Sequence, residues 1–103
     1  MRYLVFQSYI DTLHLLVLND NGDCIWASNN YIFRKPGKLR EYVAALDRGA
    51  DPRTELTGGL LHPQLEYDSW YRKESNWKIV ADENGTYPSR MGIEAEREFG
   101  LRT

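Results

Sequence analysis

Three side chains in this sequence have the chemistry for nucleophilic or acid–base work as a unit: Cys24, the only cysteine, and the two histidines, His14 and His62. A thiol becomes a nucleophile when a nearby base or positive field stabilises its thiolate, so the pairing is a question of distance. Asn21-Gly22 between two apolar runs is a strong hairpin signal. A two-residue turn there sets Asp20 against Asp23, Cys24 against Asn19 and His14 against Asn29. Five pair positions then separate Cys24 from His14, roughly 17 Å at the strand rise. The odd offset also turns the two side chains to opposite faces. On that register they are no dyad. A pairing with His62 needs the intervening loop to fold back, which the spacing neither requires nor forbids. The expectation is a small, buried Cys24 and no catalytic residue.

Other chemistries lack their residues. Two histidines and one cysteine stand far apart, with no C-x-x-C or H-x-x-x-H spacing, so no metal ligand set is expected. Asp20-Asn21-Gly22-Asp23 offers oxygen ligands but not the alternating acids closed by glutamate of a calcium loop. Leu56-Thr57-Gly58-Gly59-Leu60 is a lone glycine pair, taken as the most flexible point of a loop. It has neither the lysine nor the longer glycine pattern that cradles a nucleotide. Glu94, Glu96 and Glu98 read as a solvated face. No cofactor is implied.

Two segments remain that suit binding. Arg34-Lys35-Pro36-Gly37-Lys38-Leu39-Arg40 gathers four cations, Arg34, Lys35, Lys38 and Arg40, where a helix begins. The helix dipole disfavours cations there, whereas free backbone N–H groups beside a glycine attract an anion. The segment is therefore a candidate contact for a phosphate or an acidic protein surface, set against a merely solvated basic edge. The second is His62-Pro63-Gln64-Leu65-Glu66-Tyr67-Asp68-Ser69-Trp70-Tyr71-Arg72. Aromatics interleaved with charge resemble a protein interface, where Trp, Tyr and Arg carry most of the energy. Tyr67, Asp68, Trp70, Tyr71 and Arg72 are the candidate protein contacts. Glu66, Asp68 and Glu74 make the stretch acidic, which disfavours a nucleic-acid backbone. Leu65, Trp70 and Trp77 have the core as their alternative place.

The elements that position these residues follow from hydrophobic patterning. Residues 2–10 and the nearly unbroken apolar run Leu13–Leu18 suit strands, and Cys24–Phe33 reads as a third, giving an N-terminal β-meander. Leu39, Tyr42, Val43 and Leu46 fall on one helical face, with Gly49 as the stop and Pro52 beyond it. Residues 50–62 read as a loop, and Pro63 opens a short helix through Tyr71. Trp77–Ala81 reads as a strand. Asp82-Glu83-Asn84-Gly85 repeats the first turn's chemistry, and Thr86-Tyr87 starts a return. Ser89 caps a last helix with Met91, Ala95 and Phe99 on one side. The predicted fold is a single α+β domain over residues 1–103, with an antiparallel sheet of four to five strands and two to three helices on one face. The predicted core is Trp26, Leu39, Val43, Leu46, Trp77, Ile79 and Phe99.

A chain of 103 residues with 42% hydrophobic and 27% charged residues suits one ordered domain. Its lone cysteine and its lack of a signal-peptide pattern or a membrane-length apolar run point to the cytoplasm. Net charge is −2, with a basic middle over 34–53 between acidic ends, well short of a nucleic-acid binder's field. The function expected on these grounds is non-enzymatic: a small binding protein that occupies a macromolecular partner, a protein before anything else. Phage or mobile-element inhibitors of host nucleases or defence proteins work in this way. The alternative is a binder of nucleic acid or a phosphorylated ligand through 34–40. The sequence leaves oligomeric state open.

Overall fold

The apolar run Leu13–Leu18 organises the architecture. In the computed structural model, which describes residues 2–8, 13–29, 32–34, 37–71, 77–82 and 85–86, that run is strand β2. It lies between β1 (Arg2–Ser8) and β3 (Cys24–Ala27) in an antiparallel meander. On the far side of β1, β4 (Trp77–Asp82) pairs antiparallel, and β5 (Gly85–Thr86) pairs with β4. The sheet order among the described residues is β3-β2-β1-β4-β5. The α+β class with an antiparallel sheet is the one the patterning predicts.

The first hairpin closes differently from the predicted two-residue turn. Asn19 N donates to Asp23 O at 2.9 Å and Gly22 N to Asn19 O at 3.0 Å, so the loop holds residues 20–22. Gly22 takes the left-handed conformation, φ +83°. Asn19 Oδ1 accepts from both Asn21 N and Asp23 N at 2.9 Å. A two-residue type I′ turn needs positive φ at both central positions, whereas this loop asks it of a glycine alone. Leu18 then pairs with Cys24, and a bulge at Ile25 shifts the register so that Val17 pairs with Trp26. The expected opposition of Cys24 to Asn19 is thereby corrected. Cys24 shares a face with Leu18, Leu16 and His14, not the face opposite His14. Their separation along β2 is about 13 Å at the strand rise, so they are still no dyad.

Helix α1 (Lys38–Asp47) covers one face of the sheet. Its Leu39, Tyr42 and Val43 are buried against Tyr3, Val5, Leu15, Val17 and Trp26, with Leu46 half-buried at the margin. The helix ends in a Schellman closure: Ala50 N donates to Ala45 O and Gly49 N to Leu46 O, with Gly49 at φ +88°. Residues 50–62 are not all loop. Asp51 caps the one-turn helix α2 (Pro52–Glu55) by accepting from Arg53 N, and Glu55 Oε2 accepts from Asp51 N at 2.6 Å. A capping aspartate followed by proline is a helix start that the sequence displays.

The opposite face has its own cover, which corrects the expectation of helices on one face only. Leu4, Leu16, Leu18, Cys24 and Ala27 form a second buried cluster. Leu60 and Tyr67 pack on it from the segment containing α3 (Pro63–Glu66) and the π-helical turn Tyr67–Tyr71 that continues it. The reason lies in β2 itself. Residues 14–18 are all buried, and a strand whose apolar run does not alternate needs protein on both sides. Of the predicted core, Trp26, Leu39 and Val43 are buried. Trp77 and Ile79 lie on β4, paired with Ser8 and Phe6, with side chains outside the description. Phe99 and the predicted helix 89–99 lie outside the described residues.

Candidate docking face at the β3 edge

Strand β3 is one edge of the sheet, and an open edge presents unpaired backbone groups to any passing strand. Residues 58–64 cover it. Leu60 N donates to Ala27 O at 2.7 Å and Asn29 N to Gly58 O at 2.9 Å, while Ser28 and Gly59 form an antiparallel bridge. At the other end of β3, Cys24 N donates to the side-chain Oε1 of Gln64. Inside the sheet, Ser28 N donates to Leu15 O and Ser28 Oγ accepts from Leu15 N, each within 3.0 Å.

The glycine pair makes this strap possible by close contact. A Cβ on Gly59 would overlap Trp26 Nε1 and stand 2.8 Å from Cε2. Gly58 has φ +80°, and a Cβ there would overlap Ile32 Cγ2. Gly58-Gly59 is thus a packing seam rather than the flexible point of a loop. The seam holds the Trp26 indole against Tyr42, ring centroids 5.9 Å apart. Tyr42 in turn donates its hydroxyl proton to Thr57 O at 2.7 Å.

Passing from Gly59 to Leu65, the strap exposes apolar surface. Leu60 turns inward onto the second cluster, and its neighbour Leu61 turns out, 88% exposed. Leu65, on α3, is 65% exposed, so its place is not the core. Together with Ile25, Cys24, His62, Pro63, Gln64 and Arg53 they line a groove of ≈ 410 Å³. The sequence held a signal for this: in an extended strap consecutive side chains point opposite ways, so of Leu60-Leu61 only one can be buried.

Cys24 and His62 both line this groove. The thiol is nonetheless poorly placed for chemistry. Cys24 is 3% exposed, and its Sγ donates to Trp26 O at 3.4 Å. Burial, with the Asp68 carboxylate adding to it, pushes the thiol up to about 11. A thiol held there is protonated at neutral pH, which works against a nucleophilic role. Among the described residues, no group of three His, Cys, Asp or Glu is placed to hold a metal ion, and no helix is long and apolar enough to cross a membrane.

The candidate contact residues separate into those that fall near this groove and those that do not. Tyr67 is half-buried on the second cluster, and exposed Asp68 accepts from Gln64 Nε2 at 3.1 Å. Trp70 and Tyr71 continue the π-helical turn in their backbone, and Arg72 lies outside the described residues. In the basic segment, Lys38 Nζ stands 5.5 Å from the centroid of the Tyr42 ring, and Arg40 is exposed. The N-terminus of α1 has Gly37 in the left-handed conformation and no side-chain cap. Arg34 contributes backbone to a short 3-10 turn (Ile32–Arg34), and Lys35 lies outside the described residues. The chain matches no known protein family, no curated protein and no solved structure.

Proposed function

We propose that the chain is a non-enzymatic binding protein whose partner is another protein, received on the face made by the 58–65 strap and the groove beside it. One observation carries this reading: two large aliphatic side chains, Leu61 and Leu65, stand 88% and 65% exposed in the lining of one groove. Such side chains gain free energy when something covers them, and exposed aliphatic side chains gathered at a concavity mark interaction sites. The rigid backing of the strap favours the same role, because a preorganised face loses little entropy on binding. Of the candidate contacts Tyr67, Asp68, Trp70, Tyr71 and Arg72, Asp68 supports this reading, being exposed and bonded to the groove residue Gln64. Action by occupying a partner, as small phage or mobile-element inhibitors of nucleases or defence proteins act, is the broader form of the proposal.

Capture by the tagged chain from cell lysate, with and without nuclease treatment, tests this when run beside two variants. Leu61→Ser/Leu65→Ser removes the anchors; Lys35→Glu/Arg40→Glu reverses the basic segment. A stoichiometric protein partner lost with the first variant and kept with the second supports the proposal. Recovery of nucleic acid alone, abolished by charge reversal and indifferent to the leucines, overturns it in favour of the phosphate-binding alternative.

A further inference from the structure

The strap over the β3 edge is held unevenly along its length. Up to Leu60 it is pinned by backbone and packing. Asn29 N donates to Gly58 O at 2.9 Å and Leu60 N to Ala27 O at 2.7 Å. Gly58 and Gly59 lie too close to Ile32 and Trp26 to admit a Cβ. Thr57, just before them, accepts the Tyr42 hydroxyl proton, which ties this end to α1. Past Leu60 the ties change in kind. Leu61, His62, Leu65 and Glu66 are exposed, and Pro63 and Gln64 are half-buried, so nothing from 61 to 66 is buried. Among the described residues, no backbone bond joins 61–66 to the sheet. The bond that holds them comes from a side chain: Gln64 Oε1 accepts from Cys24 N, where a neighbouring strand would offer a carbonyl. Beyond the segment, Tyr67 packs back onto the second cluster.

From this contrast we infer that residues 61–66 form a lid, caught by the Gln64 amide, that lifts from the Cys24 end of β3 while Gly58–Leu60, the sheet and α1 stay folded. Segments with few buried apolar contacts open locally at a fraction of the free energy of global unfolding. A catch made by a side chain is released by rotation about its own bonds, with no backbone ladder to unzip. Closed, the lid sets Leu61 and Leu65 in the groove lining. Lifted, it uncovers the Cys24 amide and the part of the groove that Cys24 and Ile25 line. The proposed docking face exists in the closed state, so a partner gripping that face holds the lid down. The lid itself needs no partner.

Native-state hydrogen exchange of the full chain tests this, followed amide by amide by NMR at urea concentrations below the unfolding transition. After correction for intrinsic rates, the Cys24 amide is expected to exchange at least roughly tenfold faster than the amides of residues 15–17 in β2. Its rate should stay nearly flat in urea, because lifting the lid exposes little surface, while the β2 rates climb with global unfolding. The Leu60 amide, bonded to Ala27 outside the lid, should remain with the slow group. Gln64→Met keeps the reach of the side chain and removes the amide oxygen. It should speed Cys24 exchange a further two- to tenfold or so, about the net worth of one hydrogen bond, and leave the Leu60 and β2 rates unchanged. A Cys24 rate that matches β2 and climbs with urea in the native chain overturns the lid, whatever the variant does. Leu60 exchanging together with Cys24 overturns its boundary, since the whole strap is then the moving part. Cys24 exchange indifferent to Gln64→Met overturns the catch.

Discussion

At the scale of single residues, burial decides chemistry. His14 sits in β2 where the strand is covered on both sides, is 2% exposed, and has its pKa lowered by that burial to about 4. In the unfolded chain it protonates near 6.5. The folded state thus prefers the neutral imidazole, and this contribution is complete above about pH 6.5. It is lost as pH falls through that value toward 4, where it levels off, for a total of about 3 kcal/mol. Urea unfolding midpoints measured across that window should decline steeply in the native chain and less so in His14→Leu, whose carboxylate background is the same. Parallel declines would show that His14 does not carry this linkage. Gly59 gives a second residue-scale prediction. Gly59→Ala must displace the Trp26 indole or the strap, and overpacking of this kind costs about 1–3 kcal/mol. Gly49→Ala, at φ +88°, also loses stability through backbone strain, so near-ultraviolet circular dichroism separates the two: the tryptophan signal should change only for Gly59→Ala.

Elements respond to edges and closures. The β3 edge is protected by a strap that bonds to it at Ala27 and Asn29 and by the Gln64 side chain at Cys24. Removing the last of these with Gln64→Ala exposes the Cys24 amide and loosens the end of the strand. The expected result is faster reaction of Cys24 with a thiol reagent under native conditions, because the buried thiol is reached through local opening. Labelling no faster than in the native chain would mean that 58–60 alone secures the edge. Both hairpins carry Asx-Gly turn chemistry, yet Asn19 faces Asp23 in one register while Asp82 faces Gly85 in the other. Turn residues announce a reversal; the packing of the flanking strands selects its length.

For the whole molecule, the informative contrast is between leucines that stabilise and leucines that do not. Leu16, wholly buried in the second cluster, should lose about 2–5 kcal/mol when truncated to alanine. Leu61→Ser/Leu65→Ser should move stability by no more than about 0.5 kcal/mol and lose partner binding. Denaturation with guanidinium separates the two cases in one measurement. A large destabilisation by the exposed pair would make them structural and remove the basis for a docking face.

Amino-acid order alone determined the elements that rest on local chemistry. The strands over Arg2–Ser8 and Leu13–Leu18, the apolar face Leu39-Tyr42-Val43, the stop at Gly49 and the helix opened by Pro63 all follow from periodicity and backbone preference, which neighbours in sequence dictate. The unbroken apolar run of β2 also carried a signal for cover on both faces, against the one-sided packing expected from the pattern as a whole. The three-residue loop, the bulge at Ile25 and the shared face of Cys24 and His14 were not legible there, because register is settled by competition among distant packing contacts. Nor was the groove. Leu61 and Leu65 look like core residues by composition, and only the strap's path across the β3 edge, with Leu60 taking the inward position and Gly59 yielding room to Trp26, leaves them facing solvent.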